Sequence, residues 1–183
     1  MSSSKFPHGV IDQHHLNRKN DYLFRISMKS LIKDESGKVL VVKESGRTWW
    51  DLPGGGMDHD ESIKDAVARE LHEEVGLTGD FTYKVIHVEE PSFLEHANVW
   101  QVCMIFQVKP ENMIFVAGED GDETLFIDPE DLKSSDSLVE RKVYEYSPTS
   151  QIATVNRSFD FFNYRVPVKE SVRETGFFTG CMR

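Results

Sequence analysis

The sequence predicts a mixed α/β fold in which a mixed β-sheet is packed by helices. Three observations predict it. Strict apolar–polar alternation begins at Tyr22, the period of a half-buried strand. A helical stripe runs from about Ser62 to Val75 and is stopped by Gly76. Several short strand-like runs surround that helix, an order that suits strands layered against helices.

Taken in order, residues 1 to 20 read as a polar arm and residues 21 to 183 as the domain. The three arm histidines, His8, His14 and His15, match no common zinc spacing. In the first strand Tyr22, Phe24, Ile26 and Met28 face one way, while Arg25, Ser27 and Lys29 face the other. Asp34-Glu35-Ser36-Gly37-Lys38 is a turn signal, and Val39 to Val42 a short buried run. Trp49-Trp50-Asp51-Leu52 leads into the Pro53–Gly56 break that precedes the helix. Strands are then expected at Phe81 to Val88, Val99 to Val108, Met113 to Ala117 and Leu125 to Ile127. Asp128-Pro129-Glu130-Asp131-Leu132 would start a short helix. Ser147-Pro148 would start a last one, with Ile152, Val155, Phe159 and Phe162 on one face.

Composition narrows the function classes. The chain has 183 residues, with 21 Lys+Arg against 31 Asp+Glu and a net charge of −10. An acidic surface disfavours non-specific nucleic-acid binding, which needs a basic footprint. The longest apolar runs, Val102 to Phe106 and Met113 to Ala117, fall far short of the roughly 20 residues that span a bilayer. No signal-peptide pattern is visible at the N-terminus. The two cysteines, Cys103 and Cys181, exclude a disulfide scaffold and suggest a reducing, cytoplasmic setting.

The helix itself is anomalous. At about 100° per residue, Glu70 and Glu74 fall on the stripe defined by Ile63 and Val67, with Glu73 to one side. Burying an isolated carboxylate costs several kcal/mol, and neighbouring ones repel. Near a helix C-terminus the macrodipole adds to the cost. A divalent cation would compensate, and oxygen ligands point to Mg²⁺ or Mn²⁺ rather than zinc. The alternative is a solvated acidic face, with Arg69 pairing Glu73 at i,i+4. Gly54, Gly55 and Gly56 ahead of the helix permit a close approach of backbone to ligand, although a triple glycine is also a common plain turn.

Gly55, Glu61, Arg69, Glu70, Leu71, Glu73, Glu74, Gly76 and Leu77 fill every fixed position of G-x5-E-x7-R-E-U-x-E-E-x-G-U, where U is aliphatic. This segment resembles the signature of the Nudix hydrolases, and its many fixed positions make it specific. Trp50 to Gly55 looks like the strand entering such a box, and Phe126 to Leu132 like the aromatic strand and acidic turn downstream. The resemblance implies an α/β/α sandwich with a mixed sheet. It implies hydrolysis of a nucleoside diphosphate linked to another moiety, a small nucleotide-type substrate. By the same resemblance Glu70 and Glu74 would bind the metal, with Glu73 assisting and the Gly54 carbonyl completing the ligands. Arg69 would orient the carboxylates, and Glu61 would support them near the helix start.

The chemistry implied is attack by water on a diphosphate whose charge the metal neutralises. The general base stays open between a box glutamate and a loop acid, and Glu123 is favoured within Glu119 to Glu123. Substrate choice also stays open: Phe93 stands in the region where dinucleotide polyphosphate hydrolases tend to carry Tyr, and Pro91-Ser92-Phe93 lacks the surroundings found in the ADP-ribose group. Trp49, Phe93 and Trp100 are candidates for base stacking, or simply core, and Arg47 for a phosphate. The second function class is a non-catalytic nucleotide-binding or regulatory module of the same fold. The arm and the tail from Asn163, with Phe177-Phe178, suggest a homodimer formed by exchange.

Overall fold

The structure is a computed structural model that describes residues 10–11 and 21–147. The first strands, β1 (Val10–Ile11) and β2 (Asp21–Tyr22), form a short antiparallel ladder. The predicted helix face from Ile152 to Phe162, the tail and Cys181 lie outside the described residues. No described helix is long and apolar enough to cross a membrane.

The remaining elements are β3 (Phe24–Leu31), β4 (Val39–Glu44), α1 (Ile63–Val75), β5 (Phe81–Val88), β6 (Ser92–Leu94), β7 (Val99–Pro110), β8 (Gly121–Ile127), α2 (Pro129–Leu132) and α3 (Leu138–Tyr146). β7 is central: β3 pairs with it in parallel, β5 and β6 antiparallel. β4 and β8 form a separate antiparallel ladder. This is an α/β/α sandwich with mixed strand directions.

Two apolar layers explain the strand sequences. Met28, Ile32, Leu40, Val42, Phe106 and Val108 pack against Ala66, Val67, Leu71 and Val75 of α1. Leu31, Val39, Val41, Cys103 and Ile105 pack on the opposite side with Leu132 and Val143. β4 is therefore buried on both faces, which is why Val39 to Val42 is an unbroken apolar run.

Two expectations need correction. β3 is not half-solvated: Ser27 and Ser30 are buried, because the loop before α1 is stitched along that strand. Met28 N–H donates to Gly55 O at 2.8 Å, Ser30 N–H to Pro53 O at 2.8 Å and Met57 N–H to Ile26 O at 3.0 Å. Met113 to Ala117 is not a strand but an irregular connection, in which Val116 N–H donates to a carbonyl at the end of α1 and Ile114 N–H to Asn112 Oδ1. Ser147, the expected start of the last helix, closes α3, its hydroxyl donating to Val143 O at 2.7 Å, and the helix expected after it lies outside the described residues. α3 went unpredicted, although Ser137 followed by Glu140 has capping-box spacing at its start.

Candidate functional site

α1 begins and ends as its sequence dictates. The Ser62 hydroxyl caps its start by accepting the Asp65 N–H at 3.2 Å. Gly76 ends it in the left-handed region at φ 62°, where a side chain would be strained. Its last carbonyls, orphaned by the end of the helix, are taken by the connection that follows β7. Val116 N–H donates to Val75 O at 3.2 Å, Gly118 N–H to Glu74 O at 3.0 Å and Asp120 N–H to Glu73 O at 3.1 Å. A Cβ at Gly118 would stand 2.1 Å from Glu73 O. This docking sets the acidic end of α1 against the Asp120 loop.

The rotation of the three glutamates agrees with their exposure. The side chains of Glu70 and Glu73 are 12% and 38% exposed, and Glu74 is 5% exposed. Arg69 gathers the acids around it. Its Nη1 donates to Glu70 Oε1 at 2.8 Å and to Glu73 Oε2 at 3.2 Å. Its Nη2 donates to Glu61 Oε1 and to the Gly56 carbonyl, both at 2.9 Å. Glu70 lies so close to the loop that a Cβ at Gly55 would stand 2.7 Å from each of its carboxylate oxygens. Glu74 reaches the same loop, where Gly54 N–H donates to its Oε2 at 2.7 Å. Gly54 adopts φ 130°, and a Cβ there would stand 2.2 Å from Met28 O, so the position admits only glycine.

Burial dominates the electrostatics. It pushes the Glu74 carboxyl up to about 7, against the opposing pull of Lys29 and the Gly54 amide. Burial also raises Glu70, partly offset by Arg69. Lys29 is itself largely withdrawn from solvent, which disfavours its charge, yet the carboxylates of Asp51, Glu74 and Glu44 outweigh this and hold it firmly protonated. Its Nζ lies 2.9 Å from Asp51 Oδ2 and 3.5 Å from Glu44 Oε1, so its charge is shared among several acids.

These groups line one cleft of about 710 Å³. Arg25, Lys29, Arg47, Trp49, Asp120 and the Gly54–Gly56 backbone also face it. Glu123 does not: it sits on β8 and pairs with Lys43 at 3.2 Å, whereas Asp120 of the same acidic loop lines the cleft. Phe93 and Trp100 pack against each other, ring centroids 5.6 Å apart and planes tilted by 53°, and are not part of its lining; Trp49 is, with Arg47 lying 5.2 Å over its ring.

The donor set suits a hard divalent cation. It is oxygen-only, and among the described residues no hydrogen bond reaches Glu74 Oε1 or the Gly54 carbonyl. Among the described residues no three His, Cys, Asp or Glu side chains form a ready-made ion cage. Glu70 and Glu73 instead turn toward Arg69, so binding an ion requires them to re-aim.

The family profile described as NUDIX domain matches residues 23–146. An RNA pyrophosphohydrolase of Shewanella piezotolerans is 43% identical over 54 residues, 30% of this chain and 31% of that relative. The chain thus spans less than half the length of the curated relatives it matches. The MutT protein of Methanosarcina mazei Go1 superposes with a TM-score of 0.53 at 25% identity, covering 67% of this chain and 91% of that one. The NUDIX domain of Shewanella oneidensis NrtR, in a cocrystal with ADP ribose, shares the fold with a TM-score of 0.56 at 16% identity, covering 74% and 95%.

Proposed function

The chain belongs to the NUDIX domain family, and from that premise we propose that it hydrolyses the diphosphate bond of a nucleoside diphosphate linked to a second moiety. A single observation carries the proposal: Glu74 is buried, its carboxyl is pushed up to about 7, and Glu70 lies beside it on the same helix face. A protein retains such costly neighbours where they bind or react.

Glu70 and Glu74, assisted by Glu73 and the Gly54 carbonyl, would hold Mg²⁺ or Mn²⁺. Such an ion supplies positive charge against the phosphate oxygens and acidifies water. The chain's own residues do the rest. Arg69 holds Glu70 at the cleft, keeps Glu73 beside it, and ties both through Glu61 and Gly56 O to the start of the helix. Gly55 leaves room for Glu70 against the loop. Lys29, paired with Asp51 and Glu44, keeps the cleft floor from being purely anionic. A loop acid takes the proton of the attacking water. That role passes from Glu123, which faces Lys43, to Asp120, which lines the cleft.

Phosphate or mononucleotide release from a panel of nucleoside diphosphate derivatives tests the proposal. The panel comprises ADP-ribose, dinucleotide polyphosphates, NADH, sugar nucleotides and oxidised nucleoside triphosphates. Release with Mg²⁺ or Mn²⁺ that chelator abolishes is the expected result. Tight nucleotide binding with no release from any of them would make the chain a binding module instead.

A further inference from the structure

β4 and β8 keep a regular antiparallel register from Val39 opposite Ile127 to Lys43 opposite Glu123, and then the register slips: Glu44 pairs with Gly121. Asp122 is left as the extra residue of a β-bulge. One inserted residue reverses the alternation of the side chains that precede it in the strand. Counting back by twos, Asp120 would share the face of Phe126, which packs in the layer against α1. The extra residue moves it to the face of Ile127, in the layer of Leu31, Val39 and Val41. Ser27 and Lys29 lie on the Leu31 face of β3, and Asp120 lines the box cleft with them.

The bulged residue is itself engaged. Asp122 Oδ1 accepts the Ser45 hydroxyl at 2.6 Å, and its Oδ2 accepts the Gly46 N–H at 3.4 Å. Ser45 N–H donates in turn to Asp120 O at 3.1 Å, while Asp120 N–H donates to Glu73 O at 3.1 Å. Gly121, between the two acids, is pressed against the helix end: a Cβ there would stand 2.3 Å from Glu74 O. Asp120 is thus held at its amide by α1 and at its carbonyl by a turn that Asp122 fastens. Ser45 and Asp120 line the cleft and Asp122 does not, so Asp122 acts only through them.

We propose, resting on the hydrolase function above, that Asp122 is a positioning residue for that reaction: from the bulge it anchors the Ser45 turn, and the turn holds Asp120 where it takes the proton of the attacking water. The anchor closes the side of Asp120 that the box helix does not reach. Displacing a proton acceptor by ~1 Å forfeits much of its rate, so a residue outside the cleft governs turnover. Glu70, Glu74 and the Gly54 carbonyl take no hydrogen bond from Asp122, and the ion they would hold does not depend on it.

The test uses the full chain and its Asp122→Ala, Asp122→Asn, Asp120→Asn and Asp120→Asn/Asp122→Ala variants. Steady-state kinetics with Mg²⁺ are measured on the panel compound that the wild type hydrolyses fastest, and amide hydrogen exchange is followed by nuclear magnetic resonance. Asp122→Ala should lower kcat about 10-fold, with KM moving less than about threefold. Asp122→Asn keeps an acceptor for the Ser45 hydroxyl and should recover most of the loss. The double variant should turn over no more slowly than Asp120→Asn alone, because Asp122 works through Asp120. The Ser45 and Asp120 amides should exchange about 10-fold faster in Asp122→Ala, with those of Leu71 and Val75 in α1 unchanged. Wild-type kcat in Asp122→Ala, a loss confined to KM, losses that multiply in the double variant, or faster exchange throughout α1 would overturn the positioning role. If the wild type hydrolyses nothing in the panel, the proposed activity falls. The exchange measurement still decides for the anchor: faster exchange at Ser45 and Asp120 supports it, and unchanged exchange overturns it.

Discussion

Glu74 and Glu89 are two carboxylates withdrawn from solvent in two different clefts, and their protons behave in opposite ways. Glu89 lines a second cleft of about 700 Å³ beside α3. Burial would raise it, but Lys142 Nζ donates at 2.5 Å and the Tyr146 hydroxyl also donates, and together they hold it below the ordinary carboxylate range. Glu74 receives only the Gly54 amide and a share of Lys29, and burial wins. Glu74 is the deeper of the two, 5% exposed against 18% for the Glu89 side chain, and it also lacks a cation of its own. A buried acid with its own cation is a finished ion pair that fastens α3 to the sheet. A buried acid without one keeps an unmet demand for positive charge, and that demand is the chemistry of the box cleft.

The comparison breaks most visibly in turnover. Glu70→Gln and Glu74→Gln should each lower kcat by at least ~100-fold, whereas Glu89→Gln should leave kcat near wild type. Wild-type-like turnover by either box variant, in a steady-state assay with Mg²⁺, would remove that residue from the site.

Next comes pH. In chelator-treated protein the native state holds the Glu74 proton more tightly than the unfolded chain does. That contribution to stability is full below about pH 4.5 and is lost as pH rises to about 7. The loss is on the order of 3 kcal/mol. Glu89 runs the other way: its contribution is present above its unfolded value near 4.5 and is lost as pH falls through its lower folded value. Urea midpoints from pH 4 to 8 should show a decline toward neutrality that Glu74→Gln removes and Glu89→Gln keeps. A wild-type midpoint that stays flat from pH 4.5 to 7 would contradict the assignment for Glu74.

Gly55→Ala sharpens the contrast by steric means alone. The added methyl meets both Glu70 oxygens, so it should depress activity while costing roughly 1 to 3 kcal/mol of stability, by forcing the acid or the loop to move. Activity and unfolding measured together on that variant would show the expected pair of losses, and an unchanged kcat would mean that Glu70 need not rest on the loop. The smallest effect belongs to Glu89→Gln. Lys142 is partly exposed, so water screens the pair and its loss should cost only about 1 kcal/mol by urea unfolding.

Much of the box cleft was legible in the sequence, because a helix imposes its own geometry. Spacings of three and four carry Glu70 and Glu74 onto the stripe of Val67 whatever surrounds them, and Ser62 and Gly76 bound the helix by local rules. What stayed hidden depends on partners distant in the chain. Gly118 carries no local signal, yet its missing side chain lets the loop close on Glu73 O, 45 positions earlier. Met113 to Ala117 has the composition of a strand, but its Val116 amide goes to the Val75 carbonyl at the end of α1 and its Ile114 amide to the Asn112 side chain. Glu123 and Asp120 are alike in sequence, and only the register of Lys43 with Glu123 turns one of them away from the cleft. Alternation places Arg25 on a polar face, and nothing local shows that Gly56 and Gln101 would frame it there.

The central claim, that Glu70 and Glu74 together hold a divalent cation, is tested most directly by titrating Mn²⁺ into the protein near neutral pH and following the free ion by electron paramagnetic resonance. Wild type and Glu89→Gln should show the same saturable site, and Glu70→Gln and Glu74→Gln should each weaken it by about 10-fold or more. Identical Mn²⁺ affinity in all four proteins would contradict the account.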